Sequence, residues 1–212
     1  MNKASMTRRH MLKQSAALAA GLAAGCQSDP EEGFTPLFNG KDLSGWQGDP
    51  LLWVVEDGML IGRSPGISYN DFLSAEKTYG DFILRFKIQL VGNIGNTGVQ
   101  FRSERMSGSM EMVGYQADAG EAYWASLYDE SRRRVVLVQA DPKIIEQLDL
   151  TAWHDYEVYA KADHIRLSID GHTTVDYHEP DDGIERTGLI ATQIHSGPPM
   201  EVRFQDLRVK EI

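Results

Sequence analysis

The 212-residue chain has a single cysteine, Cys26, so no intrachain disulfide can hold it together and its stability has to come from packing. The 186 residues after Cys26 suffice for one domain with a sizeable core. Long apolar runs are missing as well. The Ala/Leu/Gly stretch Ala16 to Gly25 is about ten residues long, well short of the ~20 that span a bilayer as a helix. Long helical periodicity is absent, and so are a Gly-x-Ser-x-Gly elbow, a Walker sequence and a dinucleotide fingerprint. The glycine-rich segment Gly92 to Gly98 lacks the Gly-Lys-Ser/Thr ending of a phosphate loop and precedes a strand pattern, so it reads as a tight loop. Basic charge is scarce. The 21 Lys and Arg against 31 Asp and Glu give a formal charge of −10, which argues against a nucleic-acid partner.

No acidic residue occurs before Asp29, and that absence marks the opening segment as a targeting sequence. Thr7-Arg8-Arg9-His10-Met11-Leu12-Lys13 looks like a twin-arginine signal, a route that exports folded proteins. The apolar run ends in Ala23-Ala24-Gly25-Cys26, which resembles a lipobox, with Cys26 as the residue to be diacylated. Residues 1–25 are therefore expected to be a signal peptide, 26–33 a lipidated cysteine with a polar tether, and 34–212 the working domain. The expected location is outside the cytoplasm, as a periplasmic or cell-surface lipoprotein with its lipid anchor in a membrane leaflet. Removal of residues 1–25 leaves 17 basic side chains against 31 acidic ones, a formal charge of −14.

From Phe34 onward short period-2 patterns alternate with Gly, Asp, Asn and Pro. The clearest strand is Phe82 to Leu90, where Phe82, Leu84, Phe86, Ile88 and Leu90 share one face and Arg85, Lys87 and Gln89 share the other. Further strands are predicted at Trp53–Val55, Met59–Ile61, Gly98–Ser103, Met110–Ala117, Ala125–Tyr128 and Arg134–Gln139. The later ones are Tyr156–Ala160, Ile165–Ile169, Thr173–Tyr177, Gly188–Ile194 and Val202–Val209. Asp170-Gly171 marks a hairpin, and a change of apolar parity between Phe204 and Leu207 predicts a β-bulge at Gln205-Asp206. Ten or more short strands in a chain of this size imply an all-β fold, a two-sheet antiparallel jelly-roll-like sandwich.

Polar side chains recur at i, i+2 spacing, which gathers them on one face of a sheet. Gln100, Arg102 and Glu104 lie opposite Val99 and Phe101, Gln116 and Asp118 follow Gly114, and Gln193 and His195 close the Gly188 strand. Amides, charged groups and aromatic faces are what sugar hydroxyls and C–H surfaces require, and Tyr115, Trp124 and Tyr128 are the candidate aromatics. The same pattern would also arise on the plain solvated face of an antiparallel sheet. His164, His172 and His178 lie beside Asp176, Glu179, Asp181 and Asp182 without the compact spacing of a known metal motif, so this segment reads as a solvated acidic turn.

Phe38-Asn39-Gly40-Lys41-Asp42-Leu43-Ser44-Gly45-Trp46, Trp53-Val54-Val55-Glu56-Asp57-Gly58-Met59-Leu60, Tyr79-Gly80-Asp81-Phe82 and Asn96-Thr97-Gly98-Val99-Gln100-Phe101-Arg102 follow one another along the chain. With Gly114-Tyr115-Gln116-Ala117-Asp118, the segment Tyr123 to Arg133, Gly188 to His195 and Val202 to Leu207, their order resembles the 3-keto-disaccharide hydrolase family over essentially all of 34–212. The resemblance implies a concanavalin-A-like fold and a hydrolase or lyase acting on 3-keto-glycosides. A 3-keto group acidifies the C2 proton, so such a site needs a base, an enolate stabiliser and an acid for the leaving oxygen. Asp118, His195 and Arg102 are the catalytic candidates, with Gln100, Gln116, Tyr115, Trp124, Tyr128 and Gln193 as substrate-binding candidates and Glu104, Glu111 and Asp129 as reserve carboxylates. A divalent cation could replace Arg102 at the enolate. The alternative is a non-catalytic carbohydrate-binding surface module using the same face.

Overall fold

The computed structural model describes residues 32–212; the expected signal peptide and Cys26 lie outside the described residues. The strands in chain order are β1 (Thr35–Pro36), β2 (Trp46–Gln47), β3 (Trp53–Glu56), β4 (Met59–Ser64), β5 (Asp71–Tyr79), β6 (Phe82–Leu90), β7 (Asn96–Arg105) and β8 (Met112–Gly120). They continue with β9 (Leu127–Glu130), β10 (Val135–Val138), β11 (His154–Lys161), β12 (His164–Ile169), β13 (His172–His178), β14 (Gly188–Ile194) and β15 (Met200–Glu211). One sheet runs β13-β12-β11-β6-β15-β4-β3 with β1 added on β15, and the other runs β10-β9-β8-β7-β14-β5-β2. All pairings are antiparallel. The described residues thus form an all-β jelly-roll-like sandwich of two sheets.

The core lies between the sheets because one side chain in two on each inner strand is apolar. On β6, Phe82, Leu84, Phe86, Ile88 and Leu90 are at most 2% exposed, whereas the residues between them reach solvent. Each such burial contributes about 1.5–3 kcal/mol before entropy. Phe86 stacks on Tyr156 at 5.1 Å, and Phe82 meets Phe101 of the opposite sheet edge-on at 6.2 Å. At the β12–β13 turn Asp170 and Gly171 both take positive φ, 48° and 80°, the signature of a type I′ hairpin. The ladder between β15 and β6 shifts register between Gln205 and Arg208, with Asp206 at φ 52°, so Phe204 and Leu207 both stay buried.

β5 carries no strand prediction from sequence. Its start is buried on both sides: Leu73 enters the main core, while Phe72 joins Met112 and Ala191 in a second apolar cluster. A strand covered on both faces has no reason to alternate. The short helix Pro142–Ile145, capped by the Asp141 side chain on the Lys143 N–H, is likewise an addition to the strand-only reading.

Candidate functional site

The strand order β9-β8-β7-β14 brings three successive strands and the distant β14 side by side, with one face turned away from the core. A cavity of about 280 Å³ opens there, lined by Asn96 of β7, Gln116 and Asp118 of β8, Tyr128 and Glu130 of β9, and His195 just after β14. Glu121 and Tyr123, from the β8–β9 connection, complete it. Tyr128 pairs with Gln116 and Glu130 with Gly114 across the β8–β9 ladder, so each aligned pair shares a face. Gly98 on the neighbouring strand leaves room for the Gln116 side chain. A Cβ there would lie 2.7 Å from Gln116 Cγ and 2.8 Å from the Ala117 carbonyl oxygen.

Three glutamines form a buried row under the cavity. Ser103 Oγ donates to Gln100 Oε1 at 2.7 Å, Gln100 Nε2 to Gln116 Oε1 at 2.8 Å, and Gln116 Nε2 to Gln193 Oε1 at 3.0 Å. Only Gln116 lines the cavity; Gln100 and Gln193 hold it in place. A hydrogen-bonded amide row has one direction along its whole length, so it fixes which atom of Gln116 each neighbour meets.

Asp118 accepts hydrogen bonds from Asn96 Nδ2 and from the Ala119 N–H, both at 2.9 Å and both on Oδ1. Burial nevertheless pushes its carboxyl from 3.8 up to about 7, since those two donors, with help from Gln116, offset only part of the desolvation and the nearby Glu130 charge adds to it. Glu130 is also raised, by burial first and by the charge of Glu111 second. Burial likewise raises the Tyr128 phenol, already a proton donor at neutral pH. His195 places Nδ1 2.7 Å from the Ser196 carbonyl oxygen. A carbonyl only accepts, so in the neutral ring Nδ1 carries the hydrogen and Nε2 keeps its lone pair. The cavity therefore joins a carboxyl that exchanges its proton near neutrality to an imidazole of fixed tautomer, a combination suited to acid–base chemistry.

Several residues singled out from sequence sit elsewhere. Arg102 adopts φ 45° at a register shift between Phe101 and Glu104, which breaks the strand's alternation and turns its side chain away from Gln100. Its guanidinium instead donates to the Gly80 and Ala162 carbonyls at 3.0 and 2.7 Å and to Asp81 Oδ1 at 2.9 Å, pinning a turn on each side of the sandwich edge. It is a structural clamp, away from the cavity. Tyr115 neighbours Gln116 in a pleated strand and so points into the core, where it stacks on Phe101 and donates to Glu179 Oε2 at 2.7 Å. Trp124, 1% exposed, packs edge-on against His154 and donates to Asn93 Oδ1 at 2.8 Å. Among the reserve carboxylates, Asp129 is bound by Arg132 and Arg133, Glu104 is exposed near the end of β7, and Glu111 stays outside the cavity while acting on Glu130 through its charge.

Sequence reasoning missed Asn96, Glu121, Tyr123 and Glu130 as cavity groups. Glu130 was within reach, since it has the parity of Tyr128 on β9. Glu121 and Tyr123 come from a connection whose path no periodicity describes. Among the described residues, no lysine or arginine lines the cavity. Among the described residues, the one cluster with metal-ligand spacing lies apart from it, at His164, Asp176 and His178.

Residues 33–210 match the family model described as the 3-keto-alpha-glucoside-1,2-lyase-like domain. Among solved structures, a candidate glycosyl hydrolase from Parabacteroides distasonis ATCC 8503 is similar over 85% of this chain and 94% of its own, with 19% identity and a TM-score of 0.66. The carbohydrate-binding module CBM66 from Bacillus subtilis matches over 79% and 96%, with 16% identity and a TM-score of 0.61. The β-glucanase of Bacillus licheniformis matches over 84% and 97%, with 14% identity and a TM-score of 0.58. No match to a curated protein was found. The structural likenesses bear on the fold and agree with the two-sheet jelly roll, and the family match makes the function carbohydrate-related.

Proposed function

The chain belongs to the 3-keto-alpha-glucoside-1,2-lyase-like domain family, and from that membership we propose that it cleaves 3-keto-glycosides by removing the C2 proton and expelling the C1 substituent. The observation that carries this reading is the pairing, in one cavity, of a carboxyl raised to about 7 with an imidazole whose Nε2 is left basic. His195 Nε2 takes the proton from C2, and the C–H electron pair moves into a C2–C3 enolate whose charge rests on the 3-oxygen. The Tyr128 hydroxyl, protonated at neutral pH, donates to that oxygen. The enolate then re-forms the ketone, a C1–C2 double bond appears, and the C1–O bond breaks with its electrons leaving on the glycosidic oxygen. The acid form of Asp118 supplies the proton that the leaving oxygen needs. Gln116, oriented by Gln100 and Gln193, binds sugar hydroxyls, and Tyr123 offers an aromatic face.

The test is to incubate the soluble domain with 3-keto-glucosides and with their unoxidised parents and to measure aglycone release. Release from the keto sugars alone is expected, and His195→Gln should lower its rate about a hundredfold while retaining most sugar binding. Binding without any turnover would leave the second reading, a carbohydrate-binding surface module, which the likeness to CBM66 favours. The working place of the domain, in the same proposal, is outside the cytoplasm on a lipid anchor at Cys26, supported by the twin-arginine-like and lipobox-like segments.

A further inference from the structure

On the hairpin at the edge of the eight-stranded sheet, His164, Asp176 and His178 present ligand atoms that all lie within 4.8 Å of one another. His164 and His178 are direct cross-strand partners at the open end of the hairpin, far from its Asp170-Gly171 turn. Ile165 and Leu167 of β12 are buried, so His164, one place out of phase, faces outward. The two imidazoles stack in parallel, with centroids 4.3 Å apart and planes 6° apart.

Each ring also has its own carboxylate. His164 Nε2 is 2.7 Å from Asp176 Oδ1, and His178 Nδ1 is 2.8 Å from Asp163 Oδ2. Arg166, the register partner of Asp176, lays its guanidinium over the Tyr159 ring at 4.4 Å. We infer that this cluster binds a divalent transition-metal ion of the zinc type through His164 Nε2, Asp176 Oδ1 and His178 Nε2. Two imidazoles and one carboxylate suit such an ion, whereas calcium and magnesium call for an all-oxygen shell. Asp163 would remain on His178 Nδ1, the outer carboxylate that fixes the tautomer and directs Nε2 at the metal. As the ion enters, the hydrogen between His164 Nε2 and Asp176 moves to Nδ1 of the same ring, the two rings turn out of their parallel stack because each lone pair lies in its ring plane, and water completes the coordination.

The place in the fold gives the ion a job. β13 is an edge strand, and its pairing with β12 already shifts register between Leu167 and Ser168. A clamp at the open end would hold that edge against fraying. Next to His178, Glu179 donates its N–H to the Asp163 carbonyl at 2.9 Å, and its carboxylate binds Tyr115 and Arg133. The clamp thus borders the buried network behind β8, the strand that carries Gln116 and Asp118, and its role is structural.

The full chain, made without a polyhistidine tag and stripped with chelator, should be titrated with zinc chloride by calorimetry and melted with and without it. One zinc per chain is expected, with a Kd of roughly 10 µM or tighter, and a melting temperature that rises with zinc because only the folded hairpin assembles the site. His164→Ala and His178→Ala should each weaken binding about a hundredfold, and Asp163→Asn about tenfold. All three positions are on the surface, so the variants should fold, and Asp176→Asn serves as a further ligand variant. Absence of saturable binding below about 100 µM, or zinc binding left unchanged by the His164→Ala and His178→Ala variants, overturns the assignment.

Discussion

Replacing Asp118 by asparagine keeps the shape of the side chain and removes its charge, so stability and activity should move in opposite directions. The remaining oxygen can still accept from Asn96 Nδ2 and from the Ala119 N–H, as Oδ1 does now at 2.9 Å. In the wild type, burial raises the carboxyl from 3.8 to about 7. The folded protein therefore holds this proton where the unfolded chain has released it. The group's contribution to stability is fully present below 3.8 and is lost progressively as pH rises through about 7. At about 1.36 kcal/mol per pH unit, the difference approaches on the order of 4 kcal/mol once ionisation is complete. Glu130 is raised as well and acts in the same direction, so part of the wild-type pH dependence should persist in the variant. Urea unfolding of both proteins should give nearly equal stabilities at about pH 4 and a variant more stable by about 2–4 kcal/mol at about pH 8. Aglycone release by the variant should meanwhile fall about a hundredfold. A stability difference that stays constant between about pH 4 and pH 8 would refute the argument, because the carboxyl would then ionise in the fold as it does in water.

Phe86→Ala should cost about 3–5 kcal/mol in a denaturant titration, since it removes a ring stacked on Tyr156 in the core, while Lys87→Ala, which loses an exposed pair with Asp155, should cost less than about 1 kcal/mol. Equal losses would mean that the facing of β6 is misread. Arg102→Ala should destabilise by about 3 kcal/mol by orphaning the Gly80 and Ala162 carbonyls and Asp81. Below its melting temperature that variant should release aglycone at nearly the wild-type rate, and a selective hundredfold loss of rate would return Arg102 to the chemistry. Cys26→Ser should leave the chain unlipidated and release it from the membrane fraction; the same mature mass for variant and wild type would rule out the anchor.

Local chemistry decided what could be read without a structure. The alternation in Phe82–Leu90, the Asp170-Gly171 turn and the parity change after Phe204 each arise from neighbours in the chain, and β6, the β12–β13 hairpin and the β15 bulge follow them. The polar i, i+2 spacing likewise placed Gln116 and Asp118 on one face of β8. Parity fails where the pleat is interrupted, as at Arg102, whose positive φ sends the side chain to a clamp. It also separates residues adjacent in sequence, so Tyr115 enters the core while Gln116 meets the cavity. β5 stayed hidden because a strand buried on both sides at its start has no alternation to show.

The sequence by itself determined which residue types were available for acid–base chemistry and which face of each regular strand they occupied, because those depend on contacts a few residues apart. Only the tertiary structure decided that Asp118, Glu130 and His195 share one cavity, since their proximity comes from the order β9-β8-β7-β14. It decided the protonation of Asp118 for the same reason: the burial that raises this carboxyl exists only when strands remote in the chain close around it.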